Sequence, residues 1–375
     1  MKQSADVVII GGGVIGCSIA YHLCRRGVNV VVLDQGGIGA QASSAASGML
    51  APLKPFAKQD DSYTALLLSS LALFPELVSE LEEISGICIE YQQTGTLRAM
   101  KAKQIQRLEV WIATWKQAGF PMELLLGNEI CECEPEFSPD VSVALYNPQD
   151  PQLNAAQLVY AYARAAEKLG ATLYTHEEVT ALNHHGAIID GVRTAQGNNI
   201  TCQHLVLATG AWASQCAEWL HLTLPVRPLR GQSISLQQPP RTIRHMVFGE
   251  GGYLAPKQDG MIIVGTARDE AGFNVQTTPS SIAHLYTIAK KLVPALGTRP
   301  IQHAWAGLLP VTPDARPILG TVPFWDNVTL ACGYNGYGLL LSASTGDMIA
   351  EQIVTGHISK HLRPFLLERF TTIAQ

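Results

Sequence analysis

The sequence predicts an α/β protein with two domains, a nucleotide-binding domain on a parallel sheet and a second α+β domain on a mostly antiparallel sheet. Three observations predict this fold. A strand–glycine loop–helix–strand unit opens the chain, residues 224–265 read as successive strands between turn residues, and a glycine-rich loop precedes a closing helix. The nucleotide domain is therefore predicted to be discontinuous, with residues 1–85, 150–220 and 300–375, and the second domain to hold residues 86–149 and 221–299.

The opening unit has the pattern of a dinucleotide-binding βαβ motif. Val7 to Ile10 form the short apolar run of a buried parallel strand, and the pattern predicts a helix from Val14 to Arg26. A second strand is predicted from Val28 to Leu33, with Asp34 at its carboxyl end. An acid at this place accepts hydrogen bonds from ribose hydroxyls, and its charge repels the 2′-phosphate of NADP.

The loop of this unit has the spacing G-x-G-x-x-G, formed by Gly11, Gly13 and Gly16. The first glycine permits the tight turn, the second lets a pyrophosphate approach the backbone, and the third lets helix and strand pack closely. The free N–H groups and the positive dipole end of the helix then bind the phosphates. The unit predicts a Rossmann-type domain that binds an adenine dinucleotide, and it leaves FAD and NAD both open.

Composition excludes several classes of function. The net charge of -5 with 15% charged residues gives no basis for a polyanion-binding surface, so no nucleic-acid partner is expected. No apolar run approaches the length of a membrane span, and we expect neither a span nor a signal peptide. The eight scattered cysteines suit a reducing cytoplasm, and Cys131 and Cys133 lack the further ligands that zinc needs, so no metal is expected.

The remaining elements follow in chain order. Residues 36–52 are small and are expected to lie close against a flat ligand. A β-hairpin is predicted over residues 87–100 with its turn at Thr94–Gly95, and the acidic residues 123–137 are predicted to form a solvated surface. Helices are predicted over 62–83, 101–118, 155–169, 280–292 and about 339–354; strands over 171–174, 187–193, 200–202, 204–212 and 328–331.

Four stretches, in this order, resemble the D-amino acid oxidase family of flavoproteins. They are GGGVIG…LD, SSAASGMLAP, LVLATGAW, and the C-terminal pair WAGLLPVTPDARPILG and CGYNGYGLLLSASTG. Within the family the chain is most similar to bacterial glycine oxidases, because PVRPLRGQ and YLAPKQDGMIIVGTA are also present. The resemblance implies FAD. It also implies non-covalent binding, since the WAGLLPVTPD loop lacks the cysteine to which sarcosine oxidases link their flavin.

The resemblance further implies which residues bind FAD. The glycine loop would hold the pyrophosphate, Asp34 the ribose, and the small-residue segment the flavin, with Val179 beside the adenine. The start of the final helix would meet the flavin pyrimidine edge, where a helix N-terminus stabilises negative charge by about 0.3–2 kcal/mol. The full set is Gly11, Gly13, Val14, Ile15, Gly16, Asp34, Gln35, Ser43, Ser44, Ala46, Gly48, Met49, Val179, Thr209, Gly210, Trp212, Gly307, Leu308, Gly336, Tyr337, Gly338, Leu339 and Leu340.

The resemblance implies an FAD-dependent oxidoreductase that acts on a small amine or amino acid. In this family a neutral amine gives hydride from its α-carbon to flavin N5, and dioxygen reoxidises the flavin. Two alternatives stay open: a dehydrogenase for a hydroxy acid or secondary amine that passes electrons to another acceptor, and a flavin-binding protein without turnover. A homo-oligomer is also possible.

The departures from the family concern the substrate site. Relatives carry an arginine after WAGL that pairs with the substrate carboxylate, and here that residue is Leu309. Losing such a charged partner costs about 2–5 kcal/mol, so glycine is expected to be a poor substrate. Arg268 is a candidate clamp from another wall; the alternative is a surface arginine paired with Asp269 or Glu270. Tyr253 matches a tyrosine that bonds the substrate carboxylate in relatives, and the alternative is a sheet aromatic.

Overall fold

Two eight-stranded sheets organise residues 2–59, 61–239 and 243–373, the part of the chain that the computed structural model describes. The strands are β1 (Ser4–Ile10), β2 (Val30–Leu33), β3 (Gln92–Gln93), β4 (Thr96–Ala99), β5 (Glu123–Leu126), β6 (Val143–Asn147), β7 (Pro151–Gln152), β8 (Thr172–Tyr174), β9 (Val179–His185), β10 (Ile188–Thr194), β11 (Asn199–Leu207), β12 (Arg227–Gln237), β13 (Met246–Gly249), β14 (Gly252–Pro256), β15 (Met261–Asp269), β16 (Ile301–Val311), β17 (Ile318–Thr321) and β18 (Val328–Cys332). The helices are α1 (Val14–Cys24), α2 (Ser62–Ser85), α3 (Ile105–Gln117), α4 (Asn128–Cys133), α5 (Ala155–Lys168), α6 (Ala213–Ala217), α7 (Pro279–Leu292) and α8 (Gly338–Thr355).

The first sheet carries the nucleotide-binding unit. Its order is β17-β18-β11-β1-β2-β8, with β9 and β10 attached beyond β11, and β1 is parallel to both β2 and β11. Val7 and Ile9 point into the core beneath α1, α5 and α8, whereas Val8 and Ile10 point into the core on the opposite face. Because both faces of this sheet are covered, its central strand is a continuous apolar run.

The second sheet has the order β16-β12-β15-β14-β13-β4-β6-β5, and every neighbouring pair is antiparallel except β13 and β4. One face packs on α7 through a row of apolar side chains. That row contains Leu97, Val247, Leu254, Val264 and Ile234. The other face lies toward the small-residue segment that follows β2. The predicted fold class, an α/β protein with a second, mostly antiparallel sheet, is confirmed.

The predicted hairpin over residues 87–100 is wrong. β3 pairs with β7 in a separate two-stranded sheet, whereas β4 joins the antiparallel sheet between β13 and β6. Between these strands the chain turns sharply at Gly95, whose φ of 73° favours glycine. The turn therefore sends the chain from one sheet to another instead of folding it back on itself.

Two further predictions need correction. Residues 300–375 were all expected in the nucleotide domain, yet β16 hydrogen-bonds to β12 along the antiparallel sheet. Residues 123–137 were expected to form a solvated surface, yet Glu134 is 0% exposed and accepts hydrogen bonds from the backbone N–H groups of Arg244 and His245. A run of acids in the sequence does not indicate that one of them points inward.

Helix α2 is long and apolar enough to cross a membrane by length and composition, so the expectation that no apolar run approaches that length is wrong for it. Its apolar side chains, among them Leu66, Phe74 and Leu81, lie in the core formed with α1, α5 and α8. The capping carboxylate of Asp61 accepts the Thr64 N–H at the start of this helix. The composition of α2 is therefore explained by burial within the protein.

Candidate functional site

The glycine loop of the opening unit is constrained by backbone contacts. Gly11 has a φ of 110°, and a Cβ atom there would lie 2.4 Å from the Ala208 carbonyl oxygen. A Cβ atom at Gly16 would lie 1.9 Å from the Gly11 carbonyl oxygen. No side chain fits at either position without moving backbone, so β1, α1 and the end of β11 pack as closely as the dinucleotide motif requires.

The start of α1 forms a cradle for an anionic group. Gly13 precedes the helix without a capping side chain of its own, and the Val14 N–H donates to Ser43 Oγ at 3.0 Å. A Cβ atom at Gly13 would lie 3.3 Å from the same Ser43 Oγ atom. The helix start is thus bordered by backbone N–H groups and a serine hydroxyl, which is the donor set that binds a pyrophosphate.

Asp34 lies at the mouth of this cradle. Its Oδ2 atom accepts the Gly12 N–H at 2.7 Å, and its Oδ1 atom accepts the Gly36 N–H at 2.7 Å. These two bonds fix the carboxylate beside the glycine loop, at the end of β2. The neighbouring Gln35 is exposed. The ribose role of Asp34 remains a prediction, and the position is suitable for it.

The small-residue segment, residues 36–52, is packed between the two sheets. Trp305 Nε1 on β16 donates to the Ala45 carbonyl oxygen at 3.0 Å, and a Cβ atom at Gly307 would lie 2.6 Å from Ala45 Cβ. Gly48 has a φ of 79° and lies against the Leu153 backbone, and Met49 forms a β-bridge with Gln152. These contacts exclude a loose linker.

The other predicted contacts in this segment fall into two groups. Ser43 faces α1, as described above, whereas Ser44 Oγ donates to the Gly39 carbonyl oxygen at 2.6 Å and stabilises the segment itself. Ala46 packs against the core beneath α1. The donors that reach the cradle are therefore Ser43 and backbone N–H groups, and Ser44 has an internal role.

The C-terminal loop, residues 333–338, closes over the same region. Asn335 holds it to β16: its N–H donates to the Pro310 carbonyl, and its Oδ1 atom accepts the Thr312 N–H at 3.0 Å. A Cβ atom at Gly336 would lie 3.2 Å from Leu309 Cδ2. Helix α8 then begins at Gly338, whose Cβ position is 3.9 Å from Val14 Cγ1. The N-termini of α1 and α8 are therefore neighbours, and one extended cofactor can contact both.

Several predicted cofactor residues can contact a cofactor only through their backbone atoms. The side chains of Val14, Ile15, Leu339 and Leu340 are buried in the core, and Val179 is buried at the start of β9. Thr209 and Gly210 form the turn after β11, and Trp212 packs on Phe273 with ring centroids 5.4 Å apart.

Leu308 lies on the opposite face of β16 from its neighbours Gly307 and Leu309. It pairs with Arg230 on β12, and Arg230 bonds to Asp269 and to the Gln276 carbonyl near the start of α7. Side chains alternate along a strand, so Leu308 points away from the small-residue segment. Its side chain is not placed to contact a cofactor there, and only its backbone is available.

The antiparallel sheet supplies the facing wall, here called the substrate wall and defined by Tyr253, Ser233, Trp305, Arg268 and Leu309. Tyr253 pairs with Gly265, Gly265 with Ser233, and Ser233 with Trp305. Laterally paired residues share a face, so these side chains lie on the side where Trp305 bonds to Ala45. Arg268 pairs with Gly231, two residues before Ser233, and Leu309 lies four residues after Trp305, which places both on this face.

Arg268 is exposed, and the acids next to it have other partners. Asp269 pairs with Arg230 and Glu270 with Arg227. Assigning Arg268 to an ion pair with either acid is therefore wrong. Tyr253 is half-buried; burial raises its pKa, and Ser47, Arg268 and Ser233 partly oppose that rise. The phenol is consequently a hydrogen-bond donor at neutral pH, with a cation nearby.

Sequence reasoning missed Arg98 and Phe248. Phe248 pairs with Tyr253 across β13 and β14, and Arg98 pairs with Phe248 across β4 and β13. Both residues therefore extend the Tyr253 row of the substrate wall. The only signal in the sequence was the alternation of a short strand, which gives no register between strands that are distant in the chain. Among the described residues no group of three or more His, Cys, Asp or Glu forms a metal site.

Comparison with known proteins agrees with this geometry. A family model described as DAO, FAD dependent oxidoreductase, matches residues 6–352. The glycine oxidase of Geobacillus kaustophilus (strain HTA426) is 31% identical over 374 residues, with 98% of each chain covered. The crystal structure of glycine oxidase from Geobacillus kaustophilus matches with a TM-score of 0.92 at 30% identity, covering 98% of this chain and 99% of that one. The crystal structure of L-proline dehydrogenase from P. horikoshii matches with a TM-score of 0.89 at 25% identity, covering 99% of each.

These matches confirm the predicted cofactor, FAD, and the predicted class of enzyme, an FAD-dependent oxidoreductase that acts on amino acids. The cradle of Gly11, Gly13, Gly16, Ser43 and Asp34 fits such a dinucleotide, because it offers a close backbone, free helix donors and a fixed carboxylate. The chain belongs to the DAO family of FAD-dependent oxidoreductases.

Proposed function

We propose that this enzyme oxidises an amino acid or amine other than glycine, in a pocket whose carboxylate-binding group differs from that of glycine oxidases. One observation carries the proposal. Leu309 lies on the substrate wall between Gly231 and the C-terminal loop: its Cδ1 atom would be 2.7 Å from a Cβ at Gly231 and its Cδ2 atom 3.2 Å from one at Gly336. An apolar side chain here cannot neutralise a substrate carboxylate.

Arg268 and Tyr253 are the proposed carboxylate partners. Arg268 lies on the substrate wall, its guanidinium has no acidic partner among residues 2–59, 61–239 and 243–373, and its charge influences the pKa of Tyr253. A guanidinium forms two parallel hydrogen bonds to a carboxylate, and a protonated phenol adds a third. These groups orient the substrate, and FAD supplies the redox chemistry when bound.

The cofactor contacts are proposed from the same geometry. The N-terminus of α1, with Ser43, would hold the pyrophosphate, and Asp34 would accept a hydrogen bond from the ribose. The N-terminus of α8, at Gly338, would lie toward the flavin, and its positive dipole end would stabilise negative charge there by about 0.3–2 kcal/mol. The chain's own contribution to catalysis is therefore orientation of the substrate and charge stabilisation.

An anaerobic substrate panel tests the proposal. The holoenzyme is mixed with glycine, sarcosine, larger amino acids of both configurations, imino acids, hydroxy acids and simple amines, and the flavin absorbance is followed. We expect bleaching by an amino acid larger than glycine and weak bleaching by glycine. Flavin reduction by glycine that is faster than by any other member of the panel would contradict the proposal, and a flavin that no member reduces would favour a binding protein without turnover.

Arg268→Met tests whether Arg268 binds the substrate carboxylate. For the best amino acid of the panel we expect kcat/KM to fall by about thirtyfold or more, the equivalent of about 2 kcal/mol, with little change for the amine that lacks the carboxylate. Arg164→Met is the control, since Arg164 is an exposed arginine on α5 that pairs with Glu167. An unchanged ratio of amino acid to amine turnover would remove Arg268 from the site.

A dehydrogenase is the second candidate, and the match to L-proline dehydrogenase favours keeping it. Both candidates predict anaerobic bleaching by substrate. In air an oxidase releases one hydrogen peroxide for each substrate consumed, whereas a dehydrogenase needs a quinone or dye as electron acceptor. Measuring peroxide against substrate loss distinguishes them.

A further inference from the structure

We propose that Arg98 forms a second cationic subsite of the substrate wall, so that the preferred substrate is an amine or amino acid with two anionic groups. The inference rests on the proposed function, because it assigns a substrate class to the same site. It concerns residues that no part of the sequence pattern had singled out.

Position is the first reason. Arg98 pairs with Phe248 and Phe248 with Tyr253, so the three side chains form one lateral row on the face of the sheet where Trp305 bonds to Ala45. The guanidinium carbon of Arg98 lies 3.9 Å from the centroid of the Phe248 ring, and the Phe248 and Tyr253 centroids are 6.0 Å apart. Arg98 therefore approaches Tyr253 from the side of β4, and Arg268 approaches it from the side of β15.

The second reason is that the positive charge of Arg98 has no paired anion in the part of the chain that the structure describes. Arg98 is half-buried, and burial lowers the pKa of its guanidinium. Throughout the described ranges, 2–59, 61–239 and 243–373, the guanidinium makes no hydrogen bond or ion pair, and it stacks on the ring of Phe248. A cation taken out of water without an anion is costly, and a bound anion offsets that cost.

The acid whose charge acts on the pKa of Arg98 is Asp150, and it does not supply that anion. Asp150 is buried, and its two oxygens accept from Thr96 Oγ1 at 2.6 Å and Asn147 Nδ2 at 2.7 Å. Burial raises the pKa of Asp150 to about 7, although Thr96 and the charge of Arg98 oppose the rise. Burial thus disfavours the ionised form of Asp150, and no hydrogen bond or ion pair joins its carboxyl group to Arg98 among the described residues.

Charge counting then gives the substrate class. Arg98 and Arg268 both lie on the substrate wall, and neither has an acidic partner among the described residues. Tyr337, at the start of α8, also influences the pKa of Arg98, so the guanidinium lies within electrostatic reach of the C-terminal loop. One carboxylate neutralises one guanidinium. A substrate with a second anionic group neutralises both, whereas with glycine the charge of Arg98 is offset only by the electrostatic contributions of Asp150 and Tyr337.

The test is a binding titration that needs no turnover. The holoenzyme is titrated with acetate and with malonate, succinate and glutarate, and Kd is read from the shift in the flavin absorbance. We expect the tightest dicarboxylate to bind about thirtyfold or more tighter than acetate. Arg98→Met should remove that advantage and leave the acetate Kd unchanged, while Arg268→Met should weaken both classes of ligand.

Arg107→Met is the matched control. The guanidinium carbon of Arg107 also stacks on a phenylalanine ring, 3.8 Å from the Phe56 centroid, but it lies on the exposed face of α3. This variant should keep the dicarboxylate advantage. FAD content and Tm are measured for each variant. If Arg98→Met does not retain FAD, Arg98→Gln takes its place, and the wild-type comparison of acetate with dicarboxylates still decides.

Two outcomes overturn the subsite: dicarboxylates that bind no tighter than acetate, or an Arg98→Met variant that loses acetate and dicarboxylates equally. Both leave the proposed function intact if an amino acid still bleaches the flavin. Conversely, Arg98-dependent dicarboxylate binding without bleaching by any amine would reject the proposed function and retain the subsite. The two proposals therefore fail in distinguishable ways.

Discussion

The cofactor cradle and the substrate wall face each other, and they are built in different ways. The cradle comes mostly from one stretch, Gly11 to Met49, and its contacts are made by backbone and small side chains. The wall combines strands that are far apart in the chain, with Arg98 on β4, Tyr253 on β14 and Leu309 on β16. The cradle depends on backbone conformation, and the wall depends on the identity of a few side chains.

This difference decides what can change in evolution or by design. At Gly16 any side chain would meet a backbone carbonyl oxygen at 1.9 Å, so substitution forces β1 and α1 apart. Leu309 is half-buried and lies between two glycines, so its replacement needs little movement of the backbone. A common cofactor and a variable substrate are therefore the expected result of this architecture.

Gly16→Ala should have the largest effect. The added methyl group overlaps the Gly11 carbonyl oxygen, and overpacking against backbone costs about 3 kcal/mol or more. We expect loss of bound FAD and a marked fall in Tm, measured by the ratio of flavin to protein absorbance and by thermal unfolding of the purified protein.

Gly37→Ala is the control for that variant. A Cβ atom at Gly37 would lie 3.8 Å from Ala40 Cβ, an ordinary van der Waals contact, in the same glycine-rich part of the chain. It should retain FAD and near-native stability. Similar behaviour of the two variants would mean that close packing at Gly16 does not control the cradle.

Much of the cradle could be predicted from the sequence because its signal is local. The glycine spacing, the apolar runs and Asp34 occur within one βαβ unit, and the structure gives the same element order, with α1 ending at Cys24 instead of Arg26. The register of the substrate wall is not local. Nothing in residues 96–99 indicates that Arg98 faces Phe248, since this pairing is set by the twist and order of the whole sheet.

Two of the wrong predictions, the hairpin and the solvated surface, also arise because long-range pairing is not visible in the local sequence. A turn at Gly95 predicts a hairpin when only the neighbouring residues are considered. Instead, β3 bonds to β7 and β4 bonds to β13, and each partner lies more than fifty residues away along the chain. Glu134 belongs to an acidic segment, and its burial depends on His245, which lies on a distant part of the chain. Local patterns give element type, whereas long-range pairing decides which side chain is buried.

The ion pair between Glu134 and His245 predicts that the stability of the protein depends on pH. Burial alone would lower the pKa of His245, but its bonds to Cys133 and Glu134 outweigh burial and raise that pKa to about 9. The histidine therefore stabilises the fold fully below pH 6.5, its ordinary pKa, and this contribution is lost as pH rises through 9. The loss is on the order of 3 kcal/mol.

Thermal unfolding of the holoenzyme between pH 6 and pH 10 measures this effect. We expect Tm to fall across that window in the wild type and to fall less in Glu134→Gln, which removes the charge that holds His245 protonated. His185→Asn is the control, because the His185 side chain is 91% exposed. Equal pH profiles for Glu134→Gln and the wild type would show that the buried pair does not govern stability here.

Leu309→Arg should have the smallest effect and distinguishes the two regions most directly. A guanidinium on the substrate wall would offer glycine and sarcosine the bidentate partner that Leu309 lacks, a gain of about 2 kcal/mol at most. We expect KM for both substrates to fall by up to about thirtyfold with FAD content unchanged. Leu309→Met, which keeps size and apolarity, is the control. If KM does not change while FAD is retained, Leu309 does not face the substrate. The substrate wall would then include Tyr253 but not Leu309.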